Sequence, residues 1–315
     1  QKLVVATDVT GITLYQANQQ TYKYLRYGIS VQIAVGENNE QVHLIDWQNP
    51  ENNDFALAEE VSLRGGYERR PDIVLYINGI AVSVIELKRS SVEVADGIRQ
   101  LRTNQEKIFN EGFFSTVQLL FAGNDSQGLH YGTVTTEEKF FVQWKSSKID
   151  PKTTGSLLDN PLIEMCEKSR LLDLIQNFII FDAGIKKVPR PHQFDGIKAA
   201  QERILSKEGG VIWHTQGSGK TALAFYNVHN LTNYFRYKNI VPKFYFIVDR
   251  IDLLRQASRE FKSRGLVVHN ISSREAFAND IKQNVAIHND SGKSEITVVN
   301  IQKFKDDPSV IKAND

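Results

Sequence analysis

Arg70-Pro71-Asp72-Ile73-Val74-Leu75-Tyr76-Ile77-Asn78-Gly79, continued by Ile80-Ala81-Val82-Ser83-Val84-Ile85-Glu86-Leu87-Lys88, decides how the first half of this chain folds. Two apolar, β-branched runs, 73–77 and 80–87, flank Asn-Gly, the strongest short-range signal for a hairpin. Alternation along a strand puts Glu86 and Lys88 on one face and Leu87 on the other. Whether Asp72 joins them is a question of parity. A two-residue Asn78-Gly79 turn pairs residues whose numbers sum to 157, which sets Asp72 opposite Ile85 and away from Glu86. A three-residue loop, Ile77-Asn78-Gly79 with Gly79 left-handed, pairs those summing to 156 and returns Asp72 to the face of Glu86 and Lys88. Convergence of the three side chains therefore requires an odd loop or a bulge elsewhere in the hairpin.

Two carboxylates and a lysine gathered in this way suit a metal-dependent phosphodiesterase. Asp72 and Glu86 would hold Mg²⁺, and Lys88 would help activate the attacking water. The metal acidifies that water and stabilises the pentavalent phosphate. Asp…Glu-x-Lys alone is short, and a hairpin with charged ends in solvent has the same pattern. Residues 70–88 as a whole closely resemble the PD-(D/E)xK nuclease domain of the restriction (R) subunits of type I restriction-modification enzymes. The resemblance implies a role for Gln100, which stands where that family, like RecB-type nucleases, has the Gln of Gln-x-x-x-Tyr. Position 104 is Asn rather than Tyr, which puts the activity of the nuclease site in question. Glu60 and Glu68 are both open as a further acidic ligand.

The second motif is His214-Thr215-Gln216-Gly217-Ser218-Gly219-Lys220-Thr221. It follows an apolar run, 210–213, read as a strand, and precedes a helix expected over 219–235, the setting a phosphate-binding P-loop requires. Gly217 and Gly219 permit backbone that aims successive N–H groups at phosphate, and the helix N-terminus adds partial positive charge. Lys220 would reach the β- and γ-phosphates of ATP, with Ser218 in the loop, and the Thr221 hydroxyl would ligate Mg²⁺. The general pattern G-x-x-x-x-G-K-[ST] has glycine where this chain has His214.

The flanks extend this pattern. Arg190-Pro191-His192-Gln193 lies upstream; Phe244-Tyr245-Phe246-Ile247-Val248-Asp249-Arg250 and Ile296-Thr297-Val298-Val299-Asn300-Ile301-Gln302-Lys303-Phe304 lie downstream. The series resembles the first RecA-like domain of superfamily 2 helicases and translocases, again most like the type I R subunit. By that resemblance Gln193 would read adenine, and Arg250 and Gln302 would sit in segments associated with DNA. The Asp-Glu-x-His box that such motors need does not occur up to Asp315. The chain is therefore expected to bind ATP without hydrolysing it competently, and the full protein to continue further. For the complete subunit the resemblance implies ATP-driven translocation of double-stranded DNA and its cleavage at distant sites. It also implies methyltransferase (M) and specificity (S) partner subunits, with S-adenosylmethionine on the methyltransferase partner, and a prokaryotic cytoplasm. Two rivals stay open: another helicase-nuclease fusion, in DNA repair or in a single-chain restriction enzyme, and a nuclease-dead DNA-binding or docking module.

Composition agrees with a globular protein of two domains. The chain has 315 residues, 41% hydrophobic and 24% charged. Its single cysteine, Cys166, excludes an internal disulfide and a cysteine zinc cluster. No apolar run reaches the roughly 18 residues of a membrane span. The net charge of +1 conceals an asymmetry: residues 1–188 carry 19 Lys+Arg against 24 Asp+Glu, and residues 189–315 carry 19 against 13. A basic second half is compatible with nucleic acid, although the excess is spread out. The expected fold class is α/β: a PD-(D/E)xK-type endonuclease domain over 1–165, a connecting segment over 166–188, and a RecA-like domain with a mainly parallel sheet over 189–315. Strands are expected at 22–35, 41–47, 116–122, 139–144, 243–248, 266–269 and 296–299, beside the hairpin. Helices are expected at 93–110, 163–177, 192–207 and 252–263.

Overall fold

The computed structural model describes residues 2–34, 36–63, 65–145, 156–236, 238, 240, 242–271, 273–282 and 294–301. The chain divides into two compact units, 1–191 and 192–315.

The first unit begins with α1 (Lys2–Ala6) and α2 (Leu14–Tyr27). A capping box starts α2: Gln16 N donates to Thr13 Oγ1 at 3.3 Å, and Thr13 N donates to Gln16 Oε1 at 2.9 Å. The strand expected at 22–35 is therefore corrected. Leu14, Ala17, Asn18, Thr21, Tyr22 and Leu25 are buried at helical spacing, and this longer period overrides the alternation that starts at residue 22. What remains is β1 (Ile29–Gln32), paired antiparallel with β2 (Asn39–Val42).

The main sheet consists of β3 (Phe55–Glu59), β4 (Ile73–Ile77), β5 (Ile80–Leu87), β6 (Leu119–Asn124), β7 (Gly128–Gly132) and β8 (Val142–Gln143), which lie side by side in chain order. β5 and β6 run parallel because α3 (Val94–Thr103) carries the chain back between them; the other neighbours are antiparallel. Val94, Ile98 and Leu101 of α3 pack on Val74, Ala81, Val84, Leu120 and Ala122. Burial of each of these valine, leucine and isoleucine side chains contributes about 1.5–3 kcal/mol. The helix is shorter than the expected 93–110, ending before the buried Asn104.

The helix expected at 163–177 is two, α4 (Asp159–Cys166) and α5 (Lys168–Asn177). Glu167 separates them: its carboxylate accepts from Ser169 N at 3.1 Å and Arg170 N at 2.8 Å, which caps α5. A hairpin of β9 (Ile180–Asp182) and β10 (Ile185–Lys187) follows. Residues 166–188, expected as a connector, thus belong to the first unit. Leu171, Leu172, Ile175 and Phe178 are buried there, and Lys186 Nζ donates to Gln118 Oε1 at 2.8 Å.

The second unit contains α6 (Pro191–Leu205), α7 (Lys220–Arg236), β11 (Tyr245–Val248), α8 (Ile251–Ser263), β12 (Val267–Ile271), α9 (Arg274–Lys282) and β13 (Glu295–Asn300). Its strands are parallel in the order β11-β13-β12. Residues 210–213, expected as a strand, form none. No described strand lies beside them to complete a ladder, and Val211 and Trp213 are 88% and 89% exposed. Of the other two tryptophans, Trp144 is buried and Trp47 half-buried.

Candidate functional site

The hairpin meets the parity condition through a bulge. Ile77 pairs with Ile80 and Tyr76 with Ala81, across a two-residue turn in which Asn78 (φ 50°) and Gly79 (φ 77°) are both left-handed. The register then shifts: Leu75 pairs with Ser83, Val74 with Val84 and Ile73 with Ile85, leaving Val82 as the extra residue. Continuing that register sets Asp72 opposite Glu86. Asp72 Oδ2 accepts from Leu87 N at 2.6 Å, which anchors the carboxylate at the end of β5.

Glu86 is 1% exposed. Its Oε1 accepts from Lys88 Nζ at 2.7 Å, and the same ammonium donates to Gln100 Oε1 at 2.8 Å. Asp72, Glu86, Lys88 and Gln100 are thus brought into one cluster by a bulged hairpin and the helix beside it. Gly97 faces this cluster: a Cβ there would lie 3.4 Å from Lys88 Cγ and 3.6 Å from Glu86 Cγ, ordinary contact distance that leaves room for a small side chain only. Burial pushes the Glu86 carboxyl up to about 7; hydrogen bonding to Lys88 opposes this, and the neighbouring Asp72 adds to it.

The donor set suits a hard divalent cation. Two carboxylates stand side by side, and Glu86 Oε2 is buried without a hydrogen-bond partner among the described residues. Mg²⁺ is commonly held by one or two carboxylates, with waters and substrate phosphates completing its shell. No third His, Cys, Asp or Glu joins the pair among the described residues. Glu60 pairs with Arg70 at the surface and Glu68 is exposed. Asn104 is buried, and neither polar atom of its side chain has a hydrogen-bond partner among the described residues. Arg99, on α3 one residue before Gln100, is held by Asp96 at 2.6 Å and by both Glu138 carboxylate oxygens at 3.0 Å.

In the second unit Gly217 (φ 76°) and Gly219 (φ 86°) are left-handed and α7 starts at Lys220. The Lys220 ammonium donates to Thr215 O of the same loop at 3.1 Å, Ser218 is buried and Thr221 is half-buried. His192 Nε2 lies 2.9 Å from Ser218 O, and Gln193 Nε2 donates to Gly219 O at 3.1 Å. The His192 and His214 rings meet edge to face, with centroids 5.1 Å apart. Burial pulls the His214 imidazole below its usual pKa, and His192 and Lys220 lower it further. Arg250 precedes α8 with an exposed side chain 3.9 Å from Asp249. Gln302 lies outside the described residues. The sequence offered no signal for the pairing of His192 with Ser218.

Comparison with known proteins gives a match in each unit. The family described as "Type I restriction enzyme R protein N terminus" matches residues 2–139, and "SWI2/SNF2 ATPase" matches residues 192–315. A Methanocaldococcus jannaschii protein provisionally named type I restriction enzyme MjaVIIP endonuclease subunit is 33% identical over 76% of this chain and 23% of its own length. A second from that organism, provisionally named the MjaVIIIP endonuclease subunit, is 29% identical over 82% of this chain and 26% of its own. The type I restriction enzyme HindI endonuclease subunit of Haemophilus influenzae is 27% identical over 91% of this chain and 29% of its own. The chain thus spans about a quarter of the length of these curated relatives. With these matches the fold class is a nuclease-like mixed α/β unit followed by a RecA-like parallel α/β unit.

Proposed function

We propose, for a chain that belongs to the type I restriction enzyme R protein family, that its first unit carries a Mg²⁺-dependent DNA-cleaving site and its second binds ATP for DNA translocation by the complete subunit. The observation that carries the nuclease assignment is the convergence of Asp72, Glu86, Lys88 and Gln100 at the end of β5. Asp72 and Glu86 would hold the metal, which when bound supplies an acidified water and charge stabilisation at phosphorus. Lys88, steered by Gln100 as well as by Glu86, presents its ammonium beside the carboxylates, where it can orient the attacking water. In the second unit Gly217, Ser218 and Gly219 supply backbone N–H groups, Lys220 the cation for the β- and γ-phosphates, and Thr221 a hydroxyl for Mg²⁺. Double-stranded DNA and the methyltransferase and specificity subunits are the partners of this reading, with S-adenosylmethionine on the methyltransferase.

Cleavage of unmethylated circular DNA by the complete subunit, with both partner subunits, Mg²⁺, S-adenosylmethionine and ATP, tests it. Glu86→Ala is expected to abolish cutting and retain ATPase, whereas Lys220→Ala is expected to lose both. Cutting by Glu86→Ala would overturn the nuclease assignment.

A further inference from the structure

His192 and Gln193 are adjacent on the first turn of α6 and grip consecutive carbonyls of the phosphate loop. His192 Nε2 meets Ser218 O at 2.9 Å, and Gln193 Nε2 meets Gly219 O at 3.1 Å. Because a carbonyl can only accept, the His192 Nε2 carries the proton. In a planar trans peptide the C=O and the following N–H point in opposite directions. Drawing Ser218 O and Gly219 O toward α6 therefore turns the Gly219 and Lys220 N–H groups away from it, side by side. That is the arrangement of an anion-binding nest.

Packing reinforces the grip. Gln193 is 5% exposed, and a Cβ on Gly219 would lie 2.6 Å from Gln193 Nε2, so the loop backbone is pressed onto the amide. His214, at the position where the general motif has glycine, covers His192 edge-on and rests over Gly196 of α6, whose Cβ would lie 3.6 Å from its ring.

We propose that His192 and Gln193 are positioning residues that splint the phosphate loop from outside, presetting two N–H groups for the triphosphate; this rests on the ATP-binding reading above. It assigns Gln193 a task independent of the adenine contact that family resemblance implies.

The two roles separate with a ligand that has no base. Binding of magnesium tripolyphosphate, Mg-ATP and Mg-GTP to the purified protein would be measured by calorimetry for wild type, His192→Ala, His192→Gln, His192→Leu, Gln193→Ala and Lys220→Ala. Loss of one preset hydrogen bond is expected to weaken tripolyphosphate and ATP by the same factor, about tenfold, in His192→Ala and Gln193→Ala. His192→Gln, which keeps a donor, is expected to recover most of this, and His192→Leu, which fills the space without one, is not. Thermal unfolding of each variant identifies any that fails to fold, and the Gln–Leu contrast then carries the comparison. Unchanged tripolyphosphate affinity in both alanine variants overturns the splint, as does Gln193→Ala that merely erases preference for ATP over GTP. Wild type that binds none of the three ligands, and so behaves like Lys220→Ala, overturns the ATP-binding reading itself.

Discussion

Glu86 joins two energetic demands in one side chain. Folding pushes its carboxyl from the ordinary 4.5 up to about 7, chiefly through burial. Between those values the folded state binds more protons than the unfolded state. The stability this group contributes is therefore full below 4.5 and is lost as pH rises through about 7. The loss is on the order of 3 kcal/mol. Glu86→Gln, neutral throughout, is expected to show no such decline and to exceed wild type in stability at about pH 8. Urea denaturation in chelator checks this, and a difference between the two proteins that does not vary with pH would remove Glu86 as its source. The cost has a functional counterpart: a buried, partly uncompensated carboxylate is stabilised by any cation that reaches it.

Among the secondary-structure elements, the bulge in β5 and the small face of α3 together build the Asp72–Glu86–Lys88–Gln100 cluster. Val82 is the extra residue that shifts the register; were it paired with Leu75 in a regular ladder, Asp72 would oppose Ile85. A small residue at position 97 then lets α3 settle onto the strand end, where Gln100 reaches Lys88. A Cβ at position 97 meets its neighbours at 3.4–3.6 Å, ordinary contact distance. Gly97→Ala is therefore expected to fold, to gain about 0.5–1 kcal/mol from helix propensity, and to keep cleavage. Gly97→Leu is expected to lift α3 and sever the Lys88–Gln100 bond, lowering cleavage far more than stability. Thermal unfolding and cleavage assays on the two variants test this; equal activity in both would show that the close approach is dispensable.

At the scale of the whole molecule, the division at residue 191 separates the two proposed sites. Residues 1–191 contain their own core and the complete Asp72–Glu86–Lys88–Gln100 cluster. Mg-ATP at about a hundred times its Kd is expected to stabilise the second unit by roughly 2.7 kcal/mol. Hydrogen exchange should accordingly slow in residues 214–236 and around α6, and stay unchanged in β4, β5 and α3. Protection spread evenly over both units would mean that they unfold as one.

What the sequence by itself determined was the family, the two motif sets and most of the elements, because periodicity and turn chemistry are local. Asn78-Gly79 declared a hairpin, and parity then required a bulge or an odd loop. Which of these occurred, and at Val82, was decided by the tertiary structure, since only the sheet and α3 choose which face of β5 is buried. The same holds for Gln100, whose role came from resemblance and whose placement against Lys88 came from packing. Local patterns misled where a longer or non-local influence prevailed. Helical burial in α2 overrode the alternation after residue 22, and the apolar run 210–213 met no strand beside it among the described residues. The grip of His192 on Ser218 spans 26 residues of chain, and no spacing rule encodes it. Hydrogen bonds of that kind exist only once α6 and the loop over 214–219 have folded against each other.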